Sequence, residues 1–379
     1  MPLYLNDDQA MLQDTARPFM AAEGSIEKQL RHWRDRDCKD GFGHDLWKQF
    51  AEMGFTGILI DEDDGGHGMG HAEAGIVLEE IGRNLTPSPF LTTAVVGVTA
   101  LKHAGDETKA KYLPGIISGD TVLALALDES AKFRPSRIAT RAERSGNGFK
   151  LNGKKQFVVQ GGSADMLIVA ARTGGSEDET AGITLFAVDR DAAGLSAESA
   201  RLVDSAMAAH VELDNVEVTA DAVIGEVDQG WDVLTKVIHA GQTGAAAEMI
   251  GVGSGAMDMT VNYLKERKQF GQLIGSFQAL QHRAAHLYSE MEIARAAVMK
   301  AQQLLDEGDD GAPLMVSVAK AKAGQAAGLA VREGVQMHGG IGMTDEYDIG
   351  LYMKRDRSLA EFMGDANYHA NLVAEMNGY

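Results

Sequence analysis

The sequence predicts an α+β protein, mostly α, in which one compact β domain stands between two helical regions. Three observations predict it. Residues 1 to about 120 carry helix signals almost throughout, opening on a capping pair, Asn6 and Gln9. Near Thr121 the apolar pattern shortens to strand-length runs separated by turn residues. From Trp231 helical periodicity returns, and Phe277, Leu280, Ala284, Leu287, Met291, Ala294 and Val298 recur at alternating spacings of three and four. The expected division is an all-α domain over 1–120, a β sandwich or barrel over 121–225, and an antiparallel four-helix bundle over 226–379.

Within the first region, residues 45–53 form an amphipathic helix built on Leu46, Trp47 and Phe50 and closed by Gly54. The acidic, glycine-rich stretch 61–70 is spaced unlike a calcium loop, because Gly65 and Ala72 fall on ligand positions; it reads as a connection. Helices are expected over 72–81, 91–103 and 107–117, with Pro87 and Pro89 as breakers. In the β region, strands are expected over 122–127, 166–171, 183–189 and 209–213, and residues 149–159 read as a hairpin turning at Asn152-Gly153. Residues 174–179 form a polar loop between strands. The C-terminal helices are expected over 232–265, from 276 to about 305, from Pro313 to about 337, then 348–355 and 359–376.

A chain of 379 residues exceeds one ordinary core, and 45% hydrophobic with 24% charged residues suits a globular protein. The net charge of −20 disfavours nucleic acid as a partner, although local arginines still permit an anionic ligand. Cys38 is the single cysteine, which leaves no disulfide framework and no thiolate metal cluster. The eleven histidines show no metal-site spacing. The N-terminus lacks a leader pattern and no apolar run reaches the ~18 residues of a membrane span, so a soluble, cytoplasmic protein is expected.

Two stretches carry chemistry. Residues 263–281 place Arg267, Gln269, Phe270, Ile274 and Gln278 around a glycine break at Gly271, a set of groups suited to an anionic, planar ligand. Residues 336–344 place Gln336 before Gly339, Gly340 and Gly342, where backbone without side chains admits a phosphate or sugar. The paired patterns Arg-x-Gln-Phe-Gly and Gln-x-x-Gly-Gly-x-Gly, in a helical bundle behind a β domain, resemble the acyl-CoA dehydrogenase family over essentially the whole chain.

The resemblance implies an FAD enzyme of the acyl-CoA dehydrogenase fold that performs α,β-dehydrogenation of an acyl-CoA thioester. A carboxylate takes the α-proton, the flavin takes the hydride, and electron-transfer flavoprotein is the acceptor. It further implies that Arg267, Gln269, Phe270, Ile274, Gln278, Gln336, Gly339 and Gly340 hold the flavin of a neighbouring subunit, and that Phe157 stands where a tryptophan usually contacts the ring. No membrane span is implied.

The chain departs from the family at its catalytic positions. Met363 or Gly364 falls where the glutamate base belongs, and the alternative base position falls on Gly241. The Thr-Glu-Pro turn and Gly-Ser-Asp sequence become residues 128–134, with Asp128 first, and Val159 stands in place of a flavin-contacting threonine. Flavin-serving residues for a neighbour are kept while same-chain ones are altered. That asymmetry resembles the small subunits of heteromeric bacterial acyl-CoA dehydrogenases of the pimeloyl-CoA dehydrogenase type. A second acyl-CoA dehydrogenase subunit, a homo-oligomer (a dimer of dimers), or both are the expected partners. The alternatives are an autonomous homo-oligomeric enzyme with a displaced base such as Asp365, and a non-catalytic acyl-CoA-binding scaffold. The catalytic residue is left unassigned.

Overall fold

The computed structural model describes residues 3–379. In chain order the elements are α1 (Asp7–Glu23), α2 (His32–Asp35), α3 (His44–Glu52), α4 (His71–Asn84), α5 (Val98–Leu101) and α6 (Asp106–Ile117). Strands β1 (Leu123–Ala126), β2 (Arg141–Ser145), β3 (Gly148–Val159), β4 (Met166–Arg172), β5 (Ile183–Asp189), β6 (Leu195–Arg201), β7 (Met207–Thr219) and β8 (Val223–Ile224) follow. Then come α7 (Gly230–Glu266), β9 (Lys268–Gln269), β10 (Gln272–Leu273), α8 (Gln278–Glu307), α9 (Ala312–His338), α10 (Ile349–Glu361) and α11 (Ala366–Met376). No helix among the described residues is long and apolar enough to cross a membrane.

The chain divides into two compact units, one of residues 1–32, 70–87 and 242–379, the other of residues 33–69 and 88–241. The first unit is helical. Asn6 and Gln9 form the reciprocal capping box that their spacing predicts, with Gln9 N–H donating to Asn6 Oδ1 at 2.8 Å and Asn6 N–H to Gln9 Oε1 at 3.1 Å. α4 and α7 meet backbone to backbone. A Cβ on Gly251 would lie 1.9 Å from the Glu79 carbonyl oxygen, and one on Gly82 would lie 2.1 Å from that of Glu248. Only glycine permits that approach. Against this seam Arg83 reaches Asp258, Arg295 reaches Glu79, and Arg355 Nη2 sits 2.6 Å from the buried Glu248.

The second unit is built on an eight-stranded mixed sheet. Its strands follow the order β6-β7-β3-β2-β4-β5-β8, with β1 pairing parallel to β4. A single residue pair, Arg141 with Arg172, links β2 to β4, so the sheet is effectively two four-stranded halves. β4 is buried throughout, as a strand covered on both faces must be, and its run Met-Leu-Ile-Val-Ala-Ala reads that way.

Four expectations need correction. Asn152-Gly153 is no hairpin turn, because β3 runs straight through it with a register shift, and Gly153 packs against Thr140. The turn is Gly146-Asn147, with Ser145 facing Gly148 and Gly146 at φ 58. Two glycine-flanked asparagines compete there, and cross-strand pairing of β2 decides. β2 and β6 were not expected; β6 is a largely exposed edge whose serines and charges carry no apolar alternation. β7 runs to Thr219, six residues beyond the predicted Leu213. Finally, the last helices divide later, with α10 running to Glu361 and α11 starting at Ala366. The break falls on Met363 (φ 54) and Gly364 (φ 101), both left-handed and so incompatible with a continuous helix.

Candidate functional site

The helical unit brings the two sequence motifs together at the ends of α7 and α9. Tyr263, one turn before the end of α7, stacks on His338, the last residue of α9, with ring centroids 4.4 Å apart; Tyr347 closes on His338 at 4.9 Å. His338 Nδ1 donates to the Gly334 carbonyl at 2.7 Å, since a carbonyl only accepts. In the neutral ring Nε2 is then unprotonated, and it is buried with no hydrogen-bond partner among the described residues. Burial lowers the pKa of this imidazole against the opposing pull of that carbonyl. Both residues lie inside the two stretches singled out in the sequence, 263–281 and 336–344, without a role there. An aromatic pair with a helix on each side has no local signal.

From this stacked base a two-residue hairpin projects. β9 and β10 pair Gln269 with Gln272, and the tip residues Phe270 and Gly271 have φ 53 and 79. Both tip positions left-handed is the twist that fits a short antiparallel turn, and Phe270 accepts a conformation that glycine would take more easily. Phe270 is 89% exposed, with only an edge-to-face contact to Phe277 at 6.2 Å. Arg267, Gln269 and Gln278 are exposed, and their side chains have no partner among the described residues. Ile274, grouped with them by sequence, is buried; its N–H donates to the Arg267 carbonyl at 2.9 Å and closes the base of the hairpin.

The second motif is equally open. Gln336 is exposed, and a Cβ on Gly339, Gly340 or Gly271 would meet nothing within 4 Å. Gly339 has φ 66, the conformation that ends α9. A free guanidinium, free amides, a bare backbone and an unburied ring are the groups an anionic aromatic cofactor needs, so these residues fit an FAD.

The turn after α10 is the opposite kind of place. The Met363 carbonyl accepts from Gln242 Nε2 at 3.0 Å and from His369 Nε2 at 3.1 Å. The Gly364 carbonyl accepts from Lys320 Nζ at 3.0 Å, and the same ammonium caps α10 through the Leu359 and Ala360 carbonyls. Lys320 is buried, which pushes its pKa down to about 8 against the pull of Glu361, Asp356 and Asp365. Nearby Asp356 is buried with Oδ1 unpartnered, and burial pushes its carboxyl up to about 7 despite Arg332 and Lys320. Asp365 is the N-cap of α11, accepting from Tyr368 N–H at 2.7 Å, and Glu361 pairs with Arg357 at 3.0 Å. The residue at the turn itself, Met363, is buried and carries no carboxylate. Nothing in the sequence marks Gln242, Lys320 or His369 as a set, because their meeting is tertiary.

In the sheet unit, Phe157 stands at a register shift of β3 with φ 52, half exposed and 6.1 Å from the His210 ring. A bulge with a left-handed aromatic residue re-aims that side chain outward. One residue away, Gln156 N–H donates to the Asp128 carbonyl at 2.7 Å. Lys155 is wholly buried; it donates to the Leu127 carbonyl at 3.1 Å and to Glu129 Oε1 at 2.7 Å. The Glu129 carboxylate also accepts from Ala139 N–H and Thr140 N–H. Burial works against the charge on Glu129, yet Lys155 and these donors hold its pKa below the usual range. Burial pushes Asp128 up to about 6, Lys155 opposing, so it stays mostly ionised at neutrality and takes up a proton only as pH falls toward 6.

Comparison with known proteins places these features in context. Models of the acyl-CoA dehydrogenase N-terminal, middle and C-terminal domains match residues 6–120, 128–216 and 228–377. A 3-(aryl)acrylate reductase from Clostridium sporogenes is 30% identical over 379 residues, covering 98% of this chain and 99% of its own. Acyl-CoA dehydrogenase FadE12 from Mycobacterium tuberculosis is 31% identical over 332 residues, 86% of each chain. Among solved structures, a Tcur3481-Tcur3483 steroid ACAD variant is 30% identical with a TM-score of 0.88 over 98% of both chains.

Proposed function

Because this chain belongs to the acyl-CoA dehydrogenase family, flavoprotein oxidoreductases acting on acyl-CoA, we propose that it is the base-lacking subunit of a heteromeric, FAD-dependent member. One observation carries the reading: the groups suited to a flavin are open and unpartnered, while the turn where the family keeps its base is sealed and ends in Met363-Gly364. In this reading residues 1–120, 121–225 and 226–379 are the three family domains. Arg267 pairs with the pyrophosphate of a neighbouring subunit's FAD, and Gln269, Gln278 and Gln336 hydrogen-bond its polar edges. Gly339 and Gly340 let it approach the backbone, Phe270 covers the adenosine, and Ile274 seats the hairpin. Phe157 faces the ring system in its own unit's site. Bound FAD supplies the hydride acceptor, and electron-transfer flavoprotein drains it. The pairing of two names in the related steroid ACAD structure supports a two-chain assembly.

Co-expression with a second family member, followed by native mass and visible spectrum, tests this. A yellow mixed complex that oxidises acyl-CoA, with the isolated chain inactive, is expected. Oxidation by the isolated chain at the rate of the complex refutes the base-lacking role. Replacing Arg267 with alanine should weaken FAD retention about tenfold or more without lowering the melting temperature, as expected for an exposed charge-assisted contact.

A further inference from the structure

Five cations, Lys132, Arg134, Arg137, Arg141 and Arg144, fall between residues 132 and 144 against one carboxylate, Glu143, in a chain of net charge −20. All five are exposed. The first three ride on a loop whose neck is fixed. Glu129, paired with buried Lys155, holds Ala139 N–H at 2.6 Å and Thr140 N–H at 3.0 Å. Arg172 holds the Ser136 and Ile138 carbonyls at 3.2 and 3.1 Å. At the tip the Ser130 hydroxyl donates to the Lys132 carbonyl at 3.0 Å and Arg137 N–H to the Arg134 carbonyl at 3.0 Å, while the cationic side chains stay exposed. Lys132 and Arg134 have no carboxylate partner among the described residues, and Arg137 meets the exposed Asp178 only at 3.7 Å.

The loop runs into a cleft of about 440 Å³ lined by Arg141, Arg144, Arg172, Thr173, Glu143 and Asp228. Arg141 donates to the Gly175 carbonyl at 3.3 Å, and Arg144 lies 5.1 Å from the Phe149 ring. Arg172, wholly buried, is solvated by carbonyls and has no ion pair within 4 Å among the described residues. Burial and then Arg141 lower its pKa, against the pull of Glu179, Glu129 and Glu177. Of the opposing carboxylates, Asp228 is engaged by the Thr173 hydroxyl at 2.6 Å and Glu143 is exposed.

A CoA thioester brings a phosphate monoester and a diphosphate, about four negative charges. A strongly acidic chain repels such a ligand except where cations are concentrated. The cationic loop leaves the fold at Asp128-Glu129, and the Asp128 carbonyl is bonded to the residue before the exposed Phe157. The segment that carries the cations therefore starts beside the ring assigned to the reacting end of the site, and Lys132 follows four residues on. We propose that Lys132, Arg134 and Arg137, continued by Arg141 and Arg144, bind the phosphate groups of the CoA moiety. This rests on the acyl-CoA reading above.

Calorimetric titration of the flavin-loaded protein, with any subunit that co-purifies, tests it using CoA, 3′-dephospho-CoA, pantetheine and inorganic phosphate. Wild-type protein should bind CoA roughly tenfold or more tightly than pantetheine at low salt, with dephospho-CoA between them and the gap shrinking as salt rises. The triple variant Lys132→Gln, Arg134→Gln, Arg137→Gln should lose most of that gap. Its pantetheine binding and melting temperature should not change. A variant that binds CoA as wild type does, or a wild type that binds CoA and pantetheine alike, overturns the proposal. Inorganic phosphate binding as tightly as CoA overturns the CoA assignment. Flavin reduction by acyl-CoA is the separate control. Its absence with the gap intact sinks the dehydrogenase reading alone, whereas reduction without a gap sinks only this one.

Discussion

The hairpin after α7 and the turn after α10 are short connections in the same helical unit, each with a non-glycine residue in the left-handed region. They solve that strain in opposite ways. At Met363 three buried side chains from α7, α9 and α11 hold two consecutive carbonyls, so the backbone is specified by its surroundings. At Phe270 the hairpin supplies its own pairing, and the ring and neighbouring charge are left in solvent. The difference teaches where to look for binding. Polar groups spent on holding their own chain are not free for a ligand, whereas those left in solvent are available to one.

The sharpest way to break this contrast is to remove the grip. Lys320→Met should leave three carbonyls without their donor and destabilise the protein by roughly 3 kcal/mol or more, measured by urea denaturation. A loss below about 0.5 kcal/mol, the size of an ordinary surface change, would show the turn to be self-supporting.

A smaller effect belongs to Asp356, on α10 ahead of the same turn. Its carboxyl is pushed up to about 7, above the ordinary value of 3.8, so folding takes up a proton between those values. Its contribution is fully present below about pH 4 and is lost as pH rises through 7. Asp356→Asn should therefore flatten the decline of stability across that window, gaining on the order of 2 kcal/mol at pH 8, as read from melting curves. Parallel curves for the two proteins would contradict it.

The smallest change in stability is expected at the open end. Phe270→Ser should stay within about 0.5 kcal/mol of wild type in denaturation. The same substitution should lower the share of protein recovered with FAD and partner. A stability loss as large as that of Lys320→Met would erase the distinction between the two turns.

What could be read from sequence follows the range of the interactions. The α1 cap lies within three residues, and the glycine pattern at 339–342 marks an end of α9 that its own dihedrals require. Met363-Gly364 was read as an altered catalytic position, but its grip was not. Lys320 has the spacing of any helical lysine, and only packing buries it under α10. Asn152-Gly153 suits a turn as a dipeptide, but the turn falls at Gly146-Asn147 because the partner strands decide. The cationic residues 132–144 are plain in the sequence, yet the neck that fixes their loop is made by Glu129 and Arg172, which lie outside it.

The glycine seam between α4 and α7 has a consequence for motion. With Gly82 and Gly251 bringing main chain against main chain, no layer of side chains lies between the helices to change rotamer or slide. Such a crossing is a fulcrum, not a bearing. The crossing pins α7 at Gly251, twelve residues ahead of Tyr263, and the hairpin projects from the end of that helix.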